Sequence, residues 1–258
     1  MRDTDAPIRH HHIRAMLRSP AHYIATRQGQ GQTDPTVEME IGSGLHEMLA
    51  GQRDVLTWEE GRPRRGKDYD AFVEANPDAL ILTNASHKLA LAMHAAVLAH
   101  PVAGPLCRGG DAEMTLLWDV PGREMRGRTT PDRLHVEDGK ATIVEVKSAR
   151  SSDPSRFLWA ARREYGYHTQ AAWHATGVRA TLFDDLTEIV VKLVVVESAP
   201  PHVVTVIEVS DALLKVADAE IADALDKIAE CRATEHWPGY VEDVWVWQPD
   251  EIDLQGTE

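Results

Sequence analysis

Apolar and polar residues alternate along the middle of the chain with the period of two that predicts β-strands. The predicted strands are Met114–Val120, Glu124–Arg128, Arg133–Val136, Ala141–Lys147, Glu188–Val196 and Val203–Val209. The first four follow one another closely, which predicts a meander. The run Glu188–Val196 is almost continuously apolar, as in a strand that is buried on both faces.

Helical periodicity marks the regions before and after these strands. In the segment Ser86–His100, Met93 and Val97 belong to an apolar stripe at helical spacing, and Pro101 ends the helix. The other predicted helices are Ile8–Leu17, a turn or helix starting at Ser19-Pro20, Ile41–Leu49, Gly66–Asn76, a helix capped by Asp153, Tyr167–Ala175, and a long helix capped by Ser210 that runs to about Arg232. The polar residues 29–35 predict a loop.

The pair Asp138-Gly139 lies between two alternating runs and predicts a two-residue hairpin turn. With the turn centred there, Asp132 lies opposite Glu145, and Lys147 projects on the same face as Glu145. Two carboxylates this close repel one another unless a proton or a cation lies between them, and carboxylates are typical ligands of Mg²⁺. The pattern indicates a metal site. The alternative is an exposed hairpin on which Lys147 neutralises two surface acids.

The segment PDRLHVEDGKATIVEVK, residues 131–147, resembles the signature of the PD-(D/E)xK nuclease superfamily. Asp132, Glu145 and Lys147 occupy the three signature positions. The resemblance implies that Asp132, Glu145 and the carbonyl of Val146 hold Mg²⁺ or Mn²⁺, and that Lys147 orients the attacking water.

A second segment is similar to the RecB-like and exonuclease VIII (RecE)-like branches of this superfamily. The run GSGLH, residues 42–46, matches small residues that lead into a helix whose histidine is a metal ligand in those branches. The resemblance makes His46 a predicted ligand. Imidazole is an unusual ligand for Mg²⁺ and suits Mn²⁺ better. A histidine that is hydrogen-bonded within the core is the alternative for His46.

A third segment, YGYHTQAAWH at residues 165–174, resembles the GYxxQAAxY segment of the same branches. Tyr167, Gln170 and His174 share one helical face. The branch glutamine lies beside the active site and helps to position DNA or the lysine, so Gln170 is a predicted catalytic residue and Tyr167 a supporting one. His174 stands where the branch usually has tyrosine, which leaves its role open. Trp173 and Tyr165 are predicted to pack in the core.

Two further positions resemble the branch pattern. Glu113 precedes the first core strand, where relatives carry an acidic residue, and it is either a support for a water of the metal or a surface acid. Arg128 lies shortly before Pro131-Asp132, where relatives often have a basic residue. Since Thr129 and Thr130 intervene, only a phosphate contact is predicted for Arg128.

Composition and length limit the class of protein. A chain of 258 residues fits one domain with helical additions. No apolar run approaches the ~18 residues that span a membrane, and no secretory signal precedes the first helix, so a cytoplasmic protein without membrane contact is expected. Cys107 and Cys231 are too few for an Fe–S cluster, which usually needs four cysteine ligands.

The net charge of −14 opposes nucleic-acid binding at first sight. Much of the acid, however, lies in the helix from Ser210 to Arg232 and in the tail from Glu242 to Glu258. A basic cleft can coexist with an acidic outer surface. The basic residues cluster at Arg62–Arg65 and at Arg123, Arg126 and Arg128. A solvated loop is slightly favoured for Arg62–Arg65 over a DNA contact.

The sequence and the resemblance together predict an α/β fold, with a mixed central β-sheet flanked by helices, as in restriction-endonuclease-like nuclease cores, and an N-terminal helical addition. The expected organisation is one nuclease domain over residues 1–258. Residues 1–110 are mainly helical and carry His46, residues 111–210 form the catalytic sheet and helices, and residues 211–258 form a helix and a Trp-rich tail.

The resemblance implies a phage- or prophage-type, metal-dependent DNA exonuclease that degrades linear duplex DNA in the 5′-to-3′ direction for recombination. Its implied partners are duplex DNA, a single-strand annealing protein and further copies of itself in a ring. The alternatives are a structure-specific or repair endonuclease of the same superfamily, a catalytically inactive DNA-binding relative, and an unrelated α/β protein with surface acids on its hairpin.

Overall fold

A mixed five-stranded sheet forms the centre of the computed structural model, which describes residues 6–30, 36–59, 61–182 and 186–246. The strands of the described chain are β1 (Val55–Thr57), β2 (Leu80–Leu82), β3 (Asp111–Ala112), β4 (Leu116–Asp119), β5 (Arg126–Thr129), β6 (Arg133–Glu137), β7 (Lys140–Ala149), β8 (Glu188–Glu197) and β9 (Val204–Val209). The central sheet has the order β3-β6-β7-β8-β9. Strands β7 and β8 are parallel, and the other neighbouring pairs in this sheet are antiparallel.

Helices cover both faces of this sheet. The helices of the described chain are α1 (His10–Arg18), α2 (Pro20–Arg27), α3 (Val37–Ala50), α4 (Lys67–Ala75), α5 (Asn84–Ala99), α6 (Ala103–Arg108), α7 (Pro154–Arg163), α8 (Tyr167–Leu182) and α9 (Asp211–Thr234). On β7, Ala141 and Ile143 pack in the core below α1, α8 and α9, whereas Val144 and Val146 pack below α3, α5 and α6. One strand serves both cores because its side chains alternate between faces. The predicted fold class, helical N-terminal part included, is confirmed.

The hairpin between β6 and β7 has the predicted register. Asp138-Gly139 adopts φ values of 48° and 76°, as a type I′ turn requires. The ladder continues from this turn to the pair Arg133–Val144. The next residues on the two sides are Asp132 and Glu145, so the local pattern alone places the two acids together.

Helices α7 and α9 begin at the predicted capping residues. The side chain of Asp153 accepts a hydrogen bond from the N–H of Ser155 at 2.9 Å, at the start of α7. The side chain of Ser210 accepts one from the N–H of Leu213 at 3.3 Å, at the start of α9. Both caps satisfy backbone donors that a first helical turn leaves without a partner.

The sequence pattern does not predict the shortest elements, β1, β2, β3 and α6, because runs of two to six residues show no periodicity. Helix α8 continues to Leu182, past its predicted end at Ala175. Buried residues lie on all sides of α8, so no single apolar stripe runs along its length in the sequence.

The predicted four-stranded meander is wrong. Strands β4 and β5 form a separate two-stranded sheet. The N-terminal segment occupies the other edge of β5: the N–H of Ile8 donates to the carbonyl of Arg126 at 2.7 Å, and the N–H of Arg128 donates to the carbonyl of Ile8 at 2.8 Å. Strand β5 therefore has no free edge for β6, which pairs with β3 and β7 instead.

Close packing against this small sheet gives a stability prediction. A Cβ added to Gly127 would overlap the indole ring of Trp118, which is buried with its centroid 4.7 Å from that of Trp173. We expect Gly127→Ala to lower the free energy of unfolding by about 1–3 kcal/mol, measured by urea denaturation. Gly239→Ala is the control, because a Cβ there meets nothing within 4 Å. Equal stability of the two variants would contradict the packing argument.

Some expectations fall outside the described residues. Residues 31–35 of the predicted loop and Trp247 of the Trp-rich tail are among them. Within the described chain, no helix has the length and apolar character needed to cross a membrane. The division of residues 1–258 into one nuclease domain stays a prediction.

Candidate active site

The three signature side chains converge at the open end of the β6–β7 hairpin. Lys147 Nζ lies 2.7 Å from Oε2 of Glu145 on β7. The N–H of Val146 donates to Oδ2 of Asp132 at 2.6 Å, and the N–H of Asp132 donates to Oε1 of Glu145 at 3.3 Å. Backbone and side-chain hydrogen bonds thus join the two acids and the lysine into one constellation, as the hairpin register predicts.

Glu145 is a buried carboxylate that is held from several sides. Its side chain is 2% exposed, and Nε2 of His174 lies 3.0 Å from Oε1, an ion-pair distance with poor alignment for a hydrogen bond. The other ring nitrogen of His174 contacts the hydroxyl of Thr129 on β5. His174 therefore links the small sheet to the β6–β7 hairpin, so the residue whose role the sequence left open holds Glu145 in position.

Opposite charges keep Glu145 and Lys147 ionised in this structure. Burial acts to raise the pKa of Glu145, but the charges of His174 and Lys147 outweigh it and hold that pKa below its usual range. Burial acts to lower the pKa of Lys147, yet the charges of Glu145 and Asp132 raise it above its usual range. The pair is thus a carboxylate and an ammonium, each stabilised by the other.

A group of metal-ligand type lies beside this pair. One ring nitrogen of His46 and one carboxylate oxygen each of Glu113 and Asp132 lie within 4.8 Å of one another. Nδ1 of His46 is 3.2 Å from Oδ1 of Asp132, and the His46 side chain is 32% exposed. His46 therefore faces the acids rather than the interior of the core. Two carboxylates and an imidazole suit a divalent cation.

The electrostatics of this group reflect crowded acids. Burial raises the pKa of Glu113, and the charge of Asp132 raises it further. Burial acts to lower the pKa of His46, but the charge and hydrogen bond of Asp132 outweigh it and raise that pKa. A cation at this position would offset the repulsion between Glu113 and Asp132, to which the raised pKa of Glu113 partly responds. The raised pKa of His46 reflects the same excess of negative charge, because it comes from attraction to Asp132.

Glu145 and Val146 were predicted to complete this ligand set. Within the described residues, the three-residue group does not include Glu145, whose oxygens contact Lys147, His174 and the N–H of Asp132. The Val146 peptide contributes its N–H to Asp132. Their role as metal ligands stays a prediction.

Tyr167 of α8 contacts Lys147, and Gln170 of the same helix lines a cavity with it. Lys147 Nζ lies 5.0 Å from the centroid of the Tyr167 ring, within the range of a cation–π contact. Gln170 lines a cavity of about 340 Å³ together with Lys147 and Tyr167, and α1 closes this cavity through His10 and Arg14. Gln170 and Lys147 thus line one cavity, and the catalytic role of Gln170 stays a prediction.

A larger groove of about 1340 Å³ runs along the same site. It is lined by His46 and Glu113, by the end of β7 and the residues that follow it, and by Arg156 and Tyr165 on and after α7. The two cavities share His46, Ser148, Tyr165 and Tyr167. The site is thus open to a long substrate on one side and bounded by α1 on the other.

Most of the arginines in the predicted basic clusters are paired within the chain. The ion pairs are Arg62–Glu59, Arg62–Asp68, Arg64–Glu40, Arg123–Asp226 and Arg126–Asp119. Arg128 is half-buried and alternates with Thr129 on β5, so it lies on the strand face opposite to the Thr129–His174 contact. The paired arginines are therefore not free for DNA, which for Arg62 and Arg64 agrees with the favoured interpretation of residues 62–65 as a loop without a DNA contact.

Helix α1 contributes a residue to the site although it carries none of the sequence motifs described above. His10 lies against the site from α1, with Nε2 3.0 Å from the hydroxyl of Thr169. Burial, assisted by the charges of His174 and Lys147, lowers the pKa of His10 to about 3. In the sequence, the run HHH at residues 10–12 is the one signal that could have indicated that α1 lies at the site.

The predicted core position of Trp173 is confirmed, whereas that of Tyr165 is wrong, since Tyr165 is 44% exposed.

Removal of the imidazole tests the ligand role of His46. We expect His46→Ala to weaken Mn²⁺ binding at least about tenfold and Mg²⁺ binding less, because nitrogen ligands favour the softer ion. Isothermal titration calorimetry measures both affinities. His236→Ala, which removes an exposed histidine paired with Glu242, is the control. Small and equal losses for both ions would return His46 to a purely structural role.

The fold and the group formed by His46, Glu113 and Asp132 define an α/β domain with a candidate metal site. The chain matches the family described as "PDDEXK-like domain of unknown function (DUF3799)" over residues 10–247, and it belongs to that family. By family and fold, it is a PD-(D/E)xK-like nuclease domain.

A solved structure has a matching fold. The chain is similar to a protein from Eubacterium rectale described as "Putative exonuclease", with a TM-score of 0.63 and 14% identity over 97% of this chain and 93% of that one. A second structure, SSO0001, has 16% identity over 72% of this chain and 84% of that one, but a TM-score of 0.29, too low to support an argument. No curated protein sequence matches the chain.

Proposed function

We propose that this protein is a divalent-metal-dependent deoxyribonuclease that acts as an exonuclease on linear duplex DNA. The observation that carries the proposal is the convergence of Asp132, Glu145 and Lys147 with His46 and Glu113 beside a groove of about 1340 Å³. Acids, an ammonium and an open groove are what hydrolysis of a long polyanion needs.

The side chains divide the work in a consistent way. His46, Glu113 and Asp132 would hold Mg²⁺ or Mn²⁺, with Glu145 and the Val146 carbonyl as further predicted ligands. A bound cation would polarise the scissile phosphate and offset charge on the leaving oxygen. The ammonium of Lys147 donates one hydrogen bond to Glu145, which fixes the position of the ammonium. Its other N–H groups can orient a water molecule.

The supporting side chains fix this arrangement. Tyr167 lies below the Lys147 ammonium, and Gln170 lies next to it in the smaller cavity. His174 holds Glu145 from the side of α8. Because these contacts restrict the rotation of Lys147 and Glu145, they preorganise the site before substrate arrives.

The finer features of the proposal rest on the sequence resemblance. We place the protein in the RecE-like branch, with 5′-to-3′ polarity, a recombination role of the phage type, a single-strand annealing partner and a ring of identical subunits. Closed rings are a recurring form of homo-oligomer. A ring would keep the enzyme on its DNA between cleavage events.

End-labelled DNA tests the activity and its polarity together. Purified protein is incubated with linear duplex DNA labelled on either end, and with covalently closed circular DNA, in Mg²⁺, Mn²⁺ or EDTA. We expect release of label from 5′ ends of the linear duplex, no reaction in EDTA, and an intact circle. Cleavage of the circle would identify an endonuclease, and inert linear DNA in both metals would contradict a nuclease function.

A further inference from the structure

Helix α7 presents a strongly basic face to solvent. Phe157 and Ala161 bury the inner side of the helix. The outer side, which we call the α7 platform, consists of Arg156, Trp159, Arg162 and Arg163. At 100° per residue these four positions share one half of the helix. Trp159 is 61% exposed, a large aromatic surface for a residue type that is usually well covered.

The arginines of the α7 platform differ from the arginines of the predicted basic clusters. Within the described chain, none of the three platform side chains forms an ion pair or a hydrogen bond. Two acids lie nearby: Asp153, whose carboxylate caps α7 through Ser155, and Glu164, which follows Arg163 and lines the same groove as Arg156. In a chain of net charge −14, three uncommitted cations around one exposed indole form a local site for a polyanion.

The α7 platform adjoins the candidate active site. Arg156 lines the same groove as His46. Just after α7, the exposed ring of Tyr165 stacks on Tyr167 with centroids 5.3 Å apart. Tyr167 in turn lies below the ammonium of Lys147. A strand that leaves the site along the groove therefore passes directly onto α7.

We propose that the α7 platform binds single-stranded DNA next to the cleavage site, with phosphates on the arginines and an unpaired base stacked on Trp159. This proposal rests on the nuclease function proposed above. Aromatic stacking needs the face of a base, which a duplex covers with its neighbouring base pairs, so the exposed indole favours a single strand. Cations beside an aromatic ring are the usual composition of such surfaces.

Binding is tested without cleavage by using EDTA and a fluorescein-labelled 20-nucleotide oligothymidylate. Fluorescence anisotropy should show that Trp159→Ala weakens binding by about tenfold, the lower part of the range for loss of one stacked base. Trp159→Phe should retain most of the affinity. Leu158→Ala is the control, since it removes an exposed apolar side chain from another side of the same helix.

The salt dependence tests the arginines separately. Arg156→Gln/Arg163→Gln should reduce the log–log slope of affinity against salt by about 1.4, since each single-strand phosphate contact contributes about 0.7. Arg179→Gln, on α8 and 12 residues beyond Tyr167, should leave the slope unchanged. An unchanged slope in the double variant would overturn the proposal.

A different binding partner for the α7 platform would give different results in these experiments. If Trp159→Ala changed the sedimentation coefficient but not DNA binding, the α7 platform would be a contact between copies of the chain, and the proposal would fail. Equal losses for single-stranded and duplex probes would also overturn it. Cleavage of blunt duplex DNA by the wild type is measured in parallel, so a protein that binds the oligonucleotide through Trp159 but never cleaves refutes the nuclease function alone.

Discussion

Asp132→Asn should reduce cleavage of linear duplex DNA by about 10³-fold or more, as expected when a group that acts as part of a catalytic unit is removed. One oxygen of Asp132 accepts from the Val146 N–H, and the other faces His46 in the metal-ligand group. Asparagine can keep the first contact through its carbonyl. Its amide N–H₂ has no acceptor for a cation, so the second function is lost.

The same variant should fold as well as the wild type. Its carbonyl preserves the hairpin hydrogen bond, and the loss of one charge relieves repulsion with Glu113. Thermal unfolding should show equal or slightly higher stability. Asp119→Asn, at an exposed aspartate paired with Arg126, is the matched control for both measurements. Cleavage by Asp132→Asn at the wild-type rate would remove Asp132 from the active site.

Lys147→Ala should abolish turnover and also destabilise the protein by about 3 kcal/mol, the lower end of the range for breaking a buried ion pair. The Glu145 side chain is 2% exposed and that of Lys147 is 10% exposed, so the carboxylate cannot turn to water when the ammonium is removed. Nε2 of His174 still lies 3.0 Å from Oε1 of Glu145 in this variant, and the N–H of Asp132 still donates to the same oxygen, which keeps the cost near the lower end. Urea denaturation and a cleavage assay measure the two effects.

A double variant separates the structural role of Lys147 from its catalytic role. Lys147→Ala/Glu145→Gln should recover most of the stability, because no unpaired charge stays buried, yet it should remain inactive. Metal affinity of Lys147→Ala should persist, since Lys147 is outside the group formed by His46, Glu113 and Asp132. Loss of Mn²⁺ binding in Lys147→Ala would show that the assigned role of the lysine is wrong.

The parts of the site that the sequence predicts are those fixed by local geometry. A two-residue turn at Asp138-Gly139 sets the register, and the register sets the positions of Asp132 and Glu145. The position of His46 beside the acids required the resemblance, because 86 residues separate it from Asp132. Spacing alone carries no information about a contact of that range.

The parts that the sequence does not predict depend on how distant elements pack. His174 meets Glu145 only because α8 lies on the inner face of β7, and Thr129 joins them only because β5 leaves the main sheet. Which basic side chains are free of ion pairs also depends on how distant elements pack. Arg123 is basic in the sequence but is paired with Asp226, 103 residues away. Free cations can be recognised only after such pairs are known.

The parallel pairing of β7 with β8 has a consequence for how activity arises during synthesis. A parallel pair needs a long crossover, and Lys140 and Glu188 at its start are 48 residues apart. The hairpin with both acids can close early because its contacts are local, whereas pairing across the crossover is slow. Helix α8 lies within that crossover, so His174 reaches Glu145 only when the crossover has folded back onto β7. We therefore expect Asp132 and Glu145 to meet in a ribosome-bound chain well before His174 joins them.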